Sequence, residues 1–238
     1  MKRKAVIICL IMLAVGTTFL YSQSDIKAAE KKLVVIDAGH QGHGNSSLEP
    51  IGPGASSKKA KVASGTTGKA SGLAEYQLNL IVAKQLRKEL IKRGYQVKMI
   101  RTKHSVNISN AKRAKMANKW GADAFIRIHA NGSANKSIAG ALTMAPASNN
   151  RYLNKSVIKK SQKLSKKVVN AFCKATGTNN QGVMKTNDMS GINWCKVPVT
   201  IVEMGYMSNR TEDLHMANKS YQKKMVQGMA NGIDAYFV

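Results

Sequence analysis

The chain has 238 residues, 43% of them hydrophobic, which suffices for one domain with a well-buried core and excludes an intrinsically disordered polymer. Its formal net charge of +26 favours polyanionic surroundings: nucleic acid, anionic lipid, or the polymers of a bacterial wall. Aromatic residues make up only 5%, and no Arg-rich element or base-stacking platform is present, so nucleic acid is set aside.

At the N-terminus, Lys2, Arg3 and Lys4 precede the apolar run Ala5–Leu20, relieved only by Gly16, Thr17 and Thr18. A basic start followed by a short apolar stretch is the layout of an export signal. The run falls short of the ~20 residues that cross a bilayer comfortably. Residues 1–29 are therefore expected to be a signal peptide, cleaved near Ala28 or Ala29, or a retained signal anchor. Residues 30–238 are expected to form one folded domain that works outside the cytoplasm, secreted or anchored. Cys9 is an apolar residue of that run. Cys173 and Cys195 are too few for a disulfide framework, and their pairing stays open.

The remainder alternates strands and helices. Leu33-Val34-Val35-Ile36 is a β-branched run suited to a strand buried on both faces. A long polar loop rich in Gly, Ser and Lys is expected from Gly39 to about Leu73. Tyr76, Leu78, Leu80, Ile81, Val82, Leu86, Leu90 and Ile91 then recur at helical spacing, with Gly94 as the stop. A short strand follows at Gln96–Ile100, then a helix over Ser109–Trp120 with Ser109 as N-cap. Strands are expected at Ala124–Ile128, Gly140–Ala145 and Val199–Val202. A basic helix over Asn154–Ala175 ends at Gly177, and Arg210–Met216 and Ser220–Phe237 are helical. There is no internal repeat and no second domain. The pattern predicts an α/β fold: a single domain with a mainly parallel twisted sheet flanked by helices on both faces. In such sheets the working residues gather at the carboxyl ends of the strands.

Three strands end in residues suited to metal chemistry: Ile36-Asp37-Ala38-Gly39-His40, Ile128-His129-Ala130-Asn131 and Val202-Glu203-Met204-Gly205. Glu75 opens the first long helix. Each alone has a bland explanation: a loop histidine, a carboxylate on the helix dipole, a capping residue. Together they form a set from which catalytic zinc takes three N/O ligands and keeps one position open, leaving a carboxylate to move protons. There is no His-Glu-x-x-His helix and no Gly-x-Ser-x-Gly elbow, and neither cysteine lies in a reactive setting.

The segments Ile36–His40, Gly72–Leu80, Ala117–Asn131 and Val202–Asn209 resemble the motifs of zinc-dependent N-acetylmuramoyl-L-alanine amidases of the AmiC/CwlD type. The resemblance runs in order from about Lys32 to the C-terminus. It implies that His40, Glu75 and His129 are zinc ligands, that Glu203 is the catalytic glutamate, and that residues 30–238 are the catalytic domain. It further implies hydrolysis of the amide between N-acetylmuramic acid and L-alanine in peptidoglycan, and looks most like the germination-specific members that act on spore cortex. The basic charge would favour an anionic wall or membrane surface, and an accessory protein would help with localisation. The sequence departs from the family pattern at Ala38 and Gln41, which flank Gly39-His40, at Arg127, and in the lysine-rich loop before Glu75. These departures bear on substrate contacts more than on metal binding. Two other readings stay open: a zinc carboxypeptidase acting on stem peptides, and a non-catalytic wall-binding protein.

Further residues are weighed beside these. His43 is a rival ligand on a Gly-flanked segment, whereas His104 and His215 read as ordinary polar positions. Asp37 either orients a ligating imidazole or caps a loop. Arg127 shares a strand face with His129 and needs a partner that the sequence does not name.

Overall fold

The computed structural model describes residues Lys31–Val238. The expected signal segment, 1–29, lies outside the described residues.

The elements in chain order are β1 Leu33–Ala38, β2 Asn45–Pro50, β3 Lys58–Val62, α1 Glu75–Lys92, β4 Gln96–Met99, α2 Asn110–Lys119 and β5 Ala124–Asn131. They continue with β6 Ala141–Pro146, α3 Lys155–Thr176, β7 Asn180–Thr186, α4 Ser190–Asn193, β8 Val199–Tyr206, α5 Arg210–Ala217 and α6 Lys219–Phe237. Six strands form one sheet in the order β4-β1-β5-β8-β6-β7, and β2 pairs with β3 in a separate hairpin. All sheet neighbours are parallel except β6 and β8.

Alternation along the central strands sorts the core into two layers. Val34, Ile36 and Ala38 of β1 join Leu78, Leu86, Leu164, Phe172 and Ile233 from α1, α3 and α6. Leu33 and Val35 turn the other way, onto Ala114 and Ala117 of α2 and Ile192 of α4. Helices therefore cover both faces, and all six residues of β1 are buried. Each aliphatic side chain so buried contributes about 1.5–3 kcal/mol relative to exposure. Local signals agree: Ser109 accepts a hydrogen bond from the Lys112 amide as N-cap of α2, and Gly177 closes α3 with φ of 76°.

The structure corrects three expectations. The segment from Gly39 to Leu73 is not one loop, because it contains the β2–β3 hairpin. Strand β7 was not foreseen. Strands β5 and β8 run further than expected, so His129 and Glu203 lie inside them, directly opposite each other in the ladder. A register shift between His129 and Asn131 follows that pair and splays the strand ends.

Candidate metal centre

Beyond β1 the chain makes an abrupt turn at Gly39-His40. A Cβ on residue 39 would fall 2.3 Å from the His129 ring, so only glycine leaves that ring its seat. His40 has φ of 57°, a left-handed conformation that costs a branched-off side chain free energy. Two buried arginines hold it there. Arg101 donates to the carbonyls of Ala38, Gly39 and Tyr76, and Arg113 donates to those of Ala38 and His40. The turn's backbone carbonyls are thus satisfied by guanidinium groups where a strand partner is lacking.

Three donor atoms converge at this point. His40 Nε2 lies 3.1 Å from Glu75 Oε1, His129 Nδ1 lies 3.2 Å from the same oxygen, and the two ring nitrogens are 3.1 Å apart. Two of the three, His40 and Glu75, are fixed from behind by hydrogen bonds. His40 Nδ1 donates to the Ala63 carbonyl at 2.7 Å, which leaves Nε2 as a lone pair facing the cluster. Glu75 sits in the first turn of α1, where the helix dipole favours a carboxylate. Its Oε2 accepts from the Thr66 amide, and its Oε1 accepts from the Ala130 amide and from Asn79 Nδ2. Facing imidazoles hold its carboxyl well below the usual range, while burial drives the His129 imidazole down to about 4.

With the Glu75 carboxyl held ionised and the His40 Nδ1 hydrogen directed at Ala63, the cluster presents three inward-facing acceptors with at most one shared proton among them. That donor set suits a cation. Around a tetrahedral ion bound at about 2.0–2.1 Å, donors stand about 3.3 Å apart, close to the separations here.

A cleft of about 410 Å³ opens beside these donors, lined by His40, His129, Glu203, Arg127, Gly191 and Lys59 among others. The Glu203 carboxyl makes no hydrogen bond to another described residue. Burial, reinforced by the negative charge of Glu75 and opposed by Arg127, pushes its carboxyl up to about 8. Lys59 of the hairpin reaches Asp188 across the mouth of the cleft.

The structure brings together all four residues singled out by the motifs and leaves the rivals outside. His43 is exposed and absent from the cluster, His104 packs edge-on to Tyr76, and His215 stacks on Tyr221. Asp37 neither orients an imidazole nor caps a loop: it bonds Arg113 at 2.6 Å and Arg127 at 2.9 Å. Arg127 also donates to Asn110 Oδ1. Cys173 and Cys195 are both free and buried. Sequence reasoning missed Ala63, Thr66 and Asn79 as supports. Of these only Asn79 was readable, one helical turn from Glu75.

A mainly parallel α/β sheet with two histidines and a glutamate gathered at one edge is an arrangement that could hold a metal ion. Residues 34–235 match the N-acetylmuramoyl-L-alanine amidase family, and the chain belongs to it. It is 25% identical to a putative N-acetylmuramoyl-L-alanine amidase of Buchnera aphidicola, over 87% of this chain and 96% of that protein. The fold is similar to that of the N-acetylmuramyl-L-alanine amidase Ami1 of Mycobacterium smegmatis: TM-score 0.77, 22% identity, covering 86% of this chain and 96% of that one. It is also similar to the CwlD amidase of Clostridioides difficile, solved in complex with the GerS lipoprotein: TM-score 0.67, 22% identity, covering 87% and 98%.

Proposed function

We propose that the protein is a zinc-dependent N-acetylmuramoyl-L-alanine amidase, with His40, Glu75 and His129 as ligands and Glu203 as the residue that moves protons. The observation that carries this reading is the triangle of donor atoms 3.1–3.2 Å apart, with His40 and Glu75 each backed by further hydrogen bonds. When bound, zinc supplies Lewis acidity and acidifies water in its open position, to about pH 7 in zinc hydrolases.

The chain's own groups supply the rest. The cleft holds the lactyl amide against the ligand edge, with the buried floor of β5 and β8 limiting bulk water. The Glu203 carboxyl carries no competing hydrogen bond among the described residues and lines the same cleft as His40 and His129, and a bound cation there would favour its ionised, proton-accepting form. Its carboxylate accepts a proton from the attacking water. The same carboxyl then returns that proton to the amine nitrogen of L-alanine as the C–N bond breaks. The products are a glycan with a free lactyl carboxyl group and a peptide with a free N-terminal alanine.

An extracytoplasmic location follows from this substrate and from the basic-then-apolar pattern of residues 1–29. The family resemblance points to spore cortex as the setting. The exposed lysines of α3, including Lys159, Lys163 and Lys167, suit an anionic wall or membrane surface. The CwlD–GerS complex supports an accessory protein as a partner.

The test is mass spectrometry of products from purified peptidoglycan. Peptides with N-terminal L-alanine are expected, and Glu203→Gln should lower their release by about 10²–10⁴-fold while leaving zinc content unchanged. Release of a single C-terminal amino acid would mean a carboxypeptidase instead. No release by zinc-loaded protein that still pellets with wall would mean a binding protein.

A further inference from the structure

We propose that Arg127 is a substrate-recognition residue that grips a carboxylate on the stem peptide, the α-carboxylate of the acidic residue after L-alanine. This rests on the amidase reading above and assigns part of the same cleft.

Arg127 is only 3% exposed, yet it lines the cleft that holds Glu203, His40 and His129. Two of its three nitrogens are committed. Nε donates to Asp37 at 2.9 Å and Nη2 donates to Asn110 at 2.7 Å. Nη1 has no protein partner among the described residues. A guanidinium buried to this degree normally satisfies its donors, and one left open toward a cleft marks a place for an acceptor.

Charge points the same way. Asp37 is fully buried and already paired with Arg113, itself completely buried, so Asp37 alone does not neutralise the second arginine beneath the cleft, whose other facing carboxyl is Glu203. A structural role alone would be met by Arg113. A ligand carboxylate completes the fork of Arg127.

Gly191 fits this assignment. A Cβ on residue 191 would fall 1.4 Å from Nη1, so the absence of a side chain there preserves the guanidinium's position. Spacing fits as well. Arg127 and His129 are alternate residues on one face of β5, about 6.6 Å apart along the strand. In an extended substrate, one residue beyond the scissile bond also spans a few ångströms, at about 3.3–3.6 Å per residue.

The probes are N-acetylmuramyl-L-alanyl-D-glutamate and its isoglutamine counterpart, which differ only in that α-carboxylate. Calorimetric titration of metal-free protein, which cannot turn them over, should give affinity at least about tenfold tighter for the carboxylate, the scale of a charge-assisted hydrogen bond. Arg127→Gln should erase the ratio. Should that variant fail to fold with Asp37 half-paired, Arg127→Lys provides the same reading, because it keeps a cation beside Asp37 while removing the forked Nη1 donor. Equal affinity in the native protein, no binding of either probe, or a ratio kept in the Arg127 variants would overturn the proposal. Products from the zinc-loaded enzyme separate the two claims. Equal cleavage of both probes with equal binding sinks the carboxylate grip alone. Preferential binding without cleavage sinks the amidase reading alone.

Discussion

Two buried polar clusters lie on either side of the turn at Gly39-His40, and they solve the burial of charge in opposite ways. In the first, Asp37 accepts from Arg113 and Arg127, and the neighbouring carbonyls accept the remaining Arg113 donors. In the second, His40, Glu75 and His129 aim three acceptors at one another with at most one proton between them. The first is held together by its own opposite charges and serves as the anchor. The second is held in place from outside by Ala63, Thr66 and Ala130, and an added cation would satisfy its inward-facing lone pairs. Anchor and candidate metal centre share one strand end, so rigidity in one becomes preorganisation in the other.

The largest effect that would sharpen this contrast is on the anchor. Asp37→Ala leaves two buried guanidinium groups facing each other, and breaking a buried pair in this way costs about 3–5 kcal/mol. Urea unfolding should show it with or without metal. A loss under 1 kcal/mol would mean that the cluster is hydrated and not an anchor. Because Asp37 is held below its ordinary pKa, its contribution is present above the usual carboxyl range and fades as pH falls below it.

Glu203 should behave with the opposite sign. Its carboxyl is raised from 4.5 to about 8, so the folded, metal-free chain binds more protons than the unfolded chain across that interval. The contribution of Glu203 to stability is therefore full below about 4.5 and is lost as pH rises to about 8. Glu203→Gln should unfold at a higher temperature than native protein at pH 8, both metal-free, with the gap closing by pH 5. A gap that is constant with pH would show that Glu203 is not desolvated.

How much of this was readable beforehand depended on what each residue is paired with. The strands were legible because Leu33–Ile36 and Val199–Val202 are β-branched runs; His40, His129 and Glu203 were legible because they follow or lie on strands, and Glu75 because it opens a helix. The hairpin was not. Its strands read Asn45-Ser-Ser-Leu-Glu-Pro50 and Lys58-Lys-Ala-Lys-Val62, mostly exposed and nearly devoid of apolar alternation, so no burial pattern marks them. Polar, edge-lying β7 escaped for the same reason. The partners of Asp37 escaped because Arg113 is 76 residues away and Arg127 is 90, distances that only the sheet order closes.

The most direct test of the second cluster is titration of zinc into metal-free protein by calorimetry, with bound metal confirmed by elemental analysis. The expected result is one equivalent bound, lost in His40→Ala, Glu75→Ala and His129→Ala and retained in His43→Ala and Glu203→Gln. Full zinc binding in any of the first three variants, or its loss in Glu203→Gln, would contradict the assignment of ligands and base.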